Sequence, residues 1–322
     1  MSQSEHADAG PSFHIAFCVD NNYFRAMGAT IASIIANNPQ RRFTFHVLTF
    51  AASEQHRQRL QELEQNPLVQ TRLHLLETSD FAQFEHFLKS SYYSLSIFTR
   101  LVIPTVLQDV TDRVLYLDAD MLCVGSLDGL AQLDMQDDIV AVAPDHPATT
   151  EKRCAALQLA DPRYFNSGML YINIPRWQEA KITEQVMQVL LDNTQTLRFI
   201  DQDVLNIVLN GRARYISRNY NYLYDMVHDL KSNETRMRPV GKAVIIHFAG
   251  PIKPWSAWTG HEATRLFAQY HQLSPWRQMP ADEAPTNSTE RRMHSRFLYR
   301  QGKYLQSLVW FVRYLRKHSC KR

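Results

Sequence analysis

Val114-Leu115-Tyr116-Leu117-Asp118-Ala119-Asp120 is an apolar run that ends on two carboxylates one residue apart. In an extended strand, side chains two positions apart project from the same face. Asp118 and Asp120 are therefore expected to meet, and two like charges that close need a cation between them. A buried strand ending in paired acids suits a divalent metal at the carboxyl edge of an α/β sheet, where such folds bind ligands. The expectation is a metal-dependent enzyme acting on a phosphate-bearing substrate. Asp-x-Asp also occurs in ordinary loops, so its weight rests on the apolar approach and on partners elsewhere in the chain.

The surrounding pattern supplies the sheet. Phe13 to Val19, Phe43 to Phe50 and Val69 to Glu77 read as strands, with helical periodicity over Asn22 to Asn37 and Glu54 to Gln65 between them. Strand and helix alternating at this spacing imply βαβ units and a mostly parallel sheet flanked by helices. Ser94 to Val106 reads as partly helical, with Pro104 disturbing its end. Ile139 to Ala143, Met169 to Ile174 and Ala243 to His247 read as further strands, and Ile182 to Leu191 and Asp203 to Leu209 as helices. No Gly-x-Gly-x-x-Gly follows the first strand and no Walker loop is present, which argues against dinucleotide oxidoreduction and P-loop chemistry.

The 322 residues are 45% apolar, enough for a substantial core. Cys18, Cys123, Cys154 and Cys320 are scattered with no Cys-x-x-Cys pair, which fits a reducing compartment better than a disulfide framework. Residues 1–12 read as a polar extension without a secretory signal. No apolar run reaches the roughly 18 residues of a membrane span. The expectation is a cytosolic protein, or one held at a membrane surface. The formal net charge of +3 conceals an asymmetry. Residues 291–322 carry ten Lys or Arg and no acid, leaving 25 basic against 32 acidic residues in the body. Residues 13–277 read as the catalytic domain, 278–290, rich in Pro, Ala, Asp, Thr and Asn, as a linker, and 291–322 as a basic, aromatic, amphipathic segment.

His247-Phe248-Ala249-Gly250-Pro251-Ile252-Lys253-Pro254-Trp255 is the second informative motif. His247 ends an apolar strand, and its imidazole can complete the metal site begun by the two aspartates. Read by itself it is more often a core histidine before a Pro-rich turn. Gly250 lets backbone approach a phosphate, and Lys253 supplies a fixed positive charge. Imidazole with carboxylates leans toward Mn²⁺, with Mg²⁺ possible.

Together, Leu117-Asp118-Ala119-Asp120 and His247-Phe248-x-Gly250-x-x-Lys253-Pro254-Trp255 resemble glycosyltransferase family 8. The resemblance covers most of Phe13 to Gln272. It implies a retaining, Mn²⁺-dependent enzyme using UDP-sugars on the nucleotide-sugar-binding fold called GT-A. It also implies roles. Asp118, Asp120 and His247 resemble the metal ligands. Asp20, Asn22 and Tyr23 resemble the uridine site, where Asp20 accepts the uracil N3–H, Tyr23 stacks and Asn22 holds the ribose region; Asp and Asn at such a turn also serve conformation. Arg100 matches an arginine that contacts the donor sugar and an acid near the metal, and Asn166 an asparagine that reaches sugar hydroxyls. In Asp201-Gln202-Asp203, Asp201 would bind sugar hydroxyls while Gln202 or Asp203 lies near the reacting face. Asp201 also suits a helix N-cap. Asp145 could face the acceptor. Retention leaves two routes, front-face attack or a covalent intermediate on a carboxylate such as Asp203.

Tyr270-x-x-x-Ser274-Pro275-Trp276 and the basic tail further resemble the branch that adds glucose or galactose to the lipopolysaccharide core. Arg296 to Lys317 reads as one helix with an apolar face (Phe297, Tyr304, Leu308, Phe311, Leu315), suited to a membrane interface or to packing on the body. Nucleic acid is not expected as a partner, given the acidic body. Three other readings remain: a cytosolic UDP-glucose transferase acting on protein or a glycogen-type acceptor, an Asp-x-Asp phosphohydrolase, and a non-catalytic protein that binds UDP without turning over sugar.

Overall fold

A computed structural model describes residues 10–77, 98–192 and 197–319. Strands β1 (Phe13–Cys18), β2 (Phe43–Thr49), β3 (Val69–Leu75) and β4 (Arg113–Leu117) pair in parallel in the order β3-β2-β1-β4. Next to β4 lies β7 (Phe165–Asn173), which runs antiparallel to it and to β6 (Val140–Pro144); the short β8 (Arg214–Tyr215) completes a seven-stranded sheet. The sheet is mixed but mostly parallel, as the alternating pattern implies.

Each sheet face carries an apolar layer. On one, Ile15, Phe17, Phe45, Leu115 and Leu117 pack with helix α1 (Phe24–Asn37). Gly28 of α1 is set by this packing, because a Cβ there would lie 2.4 Å from Trp276 Cε3. The other layer joins Ala16, Leu48, Tyr116 and Leu170 to helices α3 (Thr99–Leu107), α7 (Ile182–Asp192) and α8 (Ile200–Val208). Pro104 lies inside α3, while the start of the helix expected from Ser94 falls outside the described residues.

The sequence reading is corrected at Asp118 to Asp120. β4 stops at Leu117, and Ala119 and Asp120 form a turn into β5 (Met121–Cys123). β5 pairs antiparallel with β10 (Ile245–His247), which pairs in parallel with β9 (Tyr222–Leu223) in a second, three-stranded sheet. The two carboxylates are thus brought together by a turn between sheets rather than by strand alternation.

The segment read as a linker is held to the body. Arg25 donates to Pro280 O and pairs with Asp282 at 3.0 Å, and Asp282 N–H donates to Trp255 O at 2.9 Å. Asn287 caps α11 (Ser288–Arg300), with Glu290 N–H donating to its Oδ1 at 3.0 Å. The single tail helix expected over Arg296 to Lys317 is two. α11 and α12 (Tyr304–Ser319) fold into a hairpin through Gly302, whose φ of +75° suits glycine. Among the described residues no helix is long and apolar enough to cross a membrane.

Candidate metal centre and donor cleft

The reversal of β7 assembles the site. Because β7 runs against β4, its first residues reach the same sheet edge as the end of β4, and Asp118 N–H donates to Gly168 O at 2.8 Å. β10 places His247 opposite Met121, and Phe248 N–H donates to Asp120 O at 3.0 Å. Asp118, Asp120 and His247 consequently offer three ligand atoms within 4.8 Å of one another. His247 Nε2 lies 3.3 Å from Asp120 Oδ1 and 3.9 Å from Asp118 Oδ2.

Two observations test whether a cation fits this cradle. Asp120 Oδ1 is buried and makes no hydrogen bond, the short approach of His247 lacking hydrogen-bond geometry. A buried unpaired carboxylate oxygen is costly unless something positive reaches it. Gly168 keeps the space open, since a Cβ there would sit 2.6 Å from His247 Cε1 and 2.8 Å from Asp118 Oδ2. A divalent ion fits this donor set.

The remaining oxygens are committed. Asp118 Oδ1 accepts from the Tyr116 hydroxyl and from Arg100 at 3.3 Å. Asp120 Oδ2 takes the Lys253 ammonium, which also donates to Phe248 O at 3.1 Å. Burial alone would raise the Asp120 carboxyl, but the opposing pull, led by the Lys253 ammonium, holds the group well below the usual range. Burial would lower Lys253, and Asp120 reverses this and raises it. Arg100 is buried, lies 4.9 Å from the Tyr116 ring centroid, and bridges Asp118 to Asp201 at 2.9 Å. Among these groups the three carboxylates outnumber the two cations, Arg100 and Lys253. A diphosphate would meet net negative charge without an added cation.

The other sequence-predicted residues are distributed around this centre. Asp20 and Asn22 are exposed at the turn after β1, where Asn22 N–H donates to Asp20 Oδ1 at 2.8 Å, so the conformational role of this Asp-Asn turn is realised. Tyr23 stands edge-on to Trp255, ring centroids 5.8 Å apart, and its phenol is raised by burial, with Lys253 opposing and Asp120, Asp20 and Asp118 adding. Gly250 has φ +101°, and Asp225 Oδ1 lies 3.2 Å from where its Cβ would be. Asn166 donates to Gln202 Oε1 at 3.0 Å, and Gln202 donates to Asp145 Oδ2 at 2.9 Å. Asp201 accepts from Ser167 Oγ at 3.1 Å.

Asp203 departs from expectation. It is fully buried, and its carboxylate accepts from Arg153 at 3.0 and 2.8 Å, from the Tyr164 hydroxyl at 2.6 Å, and from the backbone N–H groups of Arg198 and Phe199 at 2.7 and 2.8 Å. These bonds secure the start of α8 and leave no free oxygen for chemistry. Asp201 does not act as N-cap, a position held by Phe199 without a side-chain bond. Sequence reasoning missed Asn221, fully buried, which meets the imidazole of His247 at Nδ1, 3.0 Å away. It also missed the Tyr116 hydroxyl on Asp118, although that residue lies in the quoted strand.

The chain matches Glycosyl transferase family 8 over residues 14–259 and Glycosyl transferase family 8 C-terminal over 263–318. It is 30% identical to the lipopolysaccharide 1,3-galactosyltransferase of Salmonella typhimurium, covering 98% of this chain and 93% of that one. The lipopolysaccharide 1,2-glucosyltransferase of Escherichia coli is also 30% identical, over 95% of this chain and 91% of that protein. In fold the chain is similar to galactosyltransferase LgtC, solved with donor and acceptor sugar analogues (TM-score 0.67, 24% identity, 81% of this chain and 96% of that chain). On the strength of a match spanning most of its length and of near-full-length relatives, this chain belongs to glycosyl transferase family 8.

Proposed function

We propose that the protein moves a hexose, glucose or galactose, from a UDP-sugar to the oligosaccharide core of lipopolysaccharide, with retention and with Mn²⁺ as its divalent ion. The observation that carries this reading is the cradle of Asp118, Asp120 and His247, with one buried carboxylate oxygen unsatisfied and Gly168 leaving it open. The acceptor class follows the two lipopolysaccharide transferases that align along nearly the whole chain.

A divalent ion held there supplies Lewis-acid stabilisation of the charge that grows on the departing diphosphate. Lys253 contributes a preorganised positive charge beside it, and Gly250 allows the loop backbone to approach the phosphates. Asp20, Asn22 and Tyr23 take the uridine end. Arg100, Asn166 and Asp201 orient the sugar hydroxyls, and Gln202 lies at the reacting face. Asp203 has no oxygen to offer as nucleophile, which favours front-face attack by the acceptor hydroxyl. Asp145, hydrogen-bonded to Gln202, lies toward the acceptor.

The tail meets the membrane surface. α12 exposes Leu305, Leu308, Val309, Phe311 and Leu315, and the cavity of about 640 Å³ beneath it is rimmed by Lys231, Arg296 and Arg300. An apolar face with a cationic rim suits an anionic lipid surface. The deciding assay incubates metal-stripped protein with UDP-glucose or UDP-galactose and measures UDP release with and without Mn²⁺. Mn²⁺-dependent release is expected; equal release in chelator would refute the metal-centred reading. Loss of one core hexose, by mass analysis of lipopolysaccharide from a strain lacking the protein, tests the acceptor.

A further inference from the structure

Behind the metal cradle runs a chain of side-chain amides whose direction is fixed at one end. Asp145 is 6% exposed and, as a carboxylate, only accepts; Gln202 Nε2 donates to its Oδ2 at 2.9 Å. Gln202 Oε1 must then face the other way, and there it accepts from the backbone N–H of Ser167 at 3.1 Å and from Asn166 Nδ2 at 3.0 Å. Asn166 Oδ1 in turn accepts from the backbone N–H of Gly168 at 3.1 Å and from Asn221 Nδ2 at 3.0 Å. Amide orientation is ordinarily ambiguous, because oxygen and nitrogen look alike. Here two backbone N–H groups, which cannot be turned around, pin two successive amide oxygens.

The consequence reaches His247. With its NH₂ spent on Asn166, Asn221 presents Oδ1 to His247 Nδ1 at 3.0 Å. A carbonyl oxygen only accepts, so the ring proton sits on Nδ1 and Nε2 keeps a bare lone pair. That nitrogen is the one 3.3 Å from Asp120 Oδ1. Turning Asn221 over would set oxygen against oxygen at Asn166 in a pocket where Asn221 is 0% exposed. We propose that Asn221 is a positioning residue, the last link of the Asp145–Gln202–Asn166–Asn221 chain, which holds His247 in its ligand-competent tautomer before any ion arrives. This rests on the metal reading of the cradle given above. Outer groups that orient a ligating histidine are worth about 10–100-fold in metal affinity.

The test begins with metal-free wild-type protein carrying ¹⁵N-labelled histidine, in which ring-nitrogen shifts report the tautomer. The Nδ1–H form is expected for His247, and an Nε2–H form would overturn the assignment whether or not any variant folds. Asn221→Leu should release the preference and weaken Mn²⁺ binding about 10–100-fold by titration calorimetry. Undiminished Mn²⁺ affinity in a folded Asn221→Leu protein would also overturn the proposal. If the wild type shows Nδ1–H yet binds no Mn²⁺, the tautomer assignment stands and the metal reading of the cradle falls instead.

Discussion

Gly168 lacks a side chain because the volume it would need belongs to the cradle. An added methyl lands 2.6 Å from His247 Cε1 and 2.8 Å from Asp118 Oδ2, so Gly168→Ala should abolish Mn²⁺ binding in calorimetry while the chain still folds. Lys253 permits a sharper separation. Lys253→Met keeps the stem and removes the charge, so turnover should fall about 10²–10³-fold. Mn²⁺ affinity should not weaken in the same variant, because a competing cation has left Asp120. Asp118, Asp120 and His247 were legible in the sequence because each ends an apolar run, which gives a polar residue an address. Asn221 has no such address. It sits in Arg218-Asn219-Tyr220-Asn221-Tyr222, where nothing in spacing separates a relay amide from a turn former. Asp203 misled for the opposite reason: its neighbours in sequence suggested chemistry, while the N–H groups of Arg198 and Phe199, close along the chain, had already claimed it.

Strand and helix identities followed from apolar periodicity, but strand direction did not. β7 reads like the parallel strands β1 to β4, and its antiparallel register with β4, Leu115 opposite Tyr171, reveals the reversal that carries Asn166 to Gly168 to the site. β5 and β9, at three and two residues, are too short to leave a period. The start of α8 depends on a buried ion pair. Asp203→Ala would remove a fully buried carboxylate that accepts from Arg153, from the Tyr164 hydroxyl and from two backbone N–H groups, and should cost about 3–5 kcal/mol of stability in urea unfolding. No glycosyl adduct should form on Asp203 in the wild-type protein, a point open to mass spectrometry of trapped intermediates. Across β1, β2 and β3 the rings of His14, His46 and His74 form a row, Nδ1 to Nε2, at 2.9 and 3.0 Å. Burial, with His14, His74 and Arg72 nearby, lowers His46 to about 3 from an unfolded value of 6.5. The unfolded chain therefore binds the extra proton between those limits, and this contribution to stability, full above pH 6.5, is lost as pH falls. The urea midpoint should drop between pH 7.5 and 5, and His46→Gln should flatten that dependence.

The tail is where composition foretold chemistry but not shape. Its basic, aromatic character was plain, yet a glycine turn at Gly302 divides the expected helix, and its halves differ in burial. Phe297 and Leu298 of α11 are 5% and 6% exposed, buried on the body, whereas Leu305 and Leu308 of α12 are 83% and 59% exposed. Leu305→Asp with Leu308→Asp should accordingly reduce sedimentation with anionic vesicles several-fold and leave Mn²⁺-dependent UDP-sugar hydrolysis unchanged. Unaltered sedimentation would remove the lipid-facing role of α12. The hairpin packs on the body through Phe297 of α11 and does not trail from it. A bilayer gripped by α12 would hold the cleft at one standoff, so an acceptor whose terminal sugar lies at a different height above the lipid would be refused by distance alone, however well its hydroxyls match.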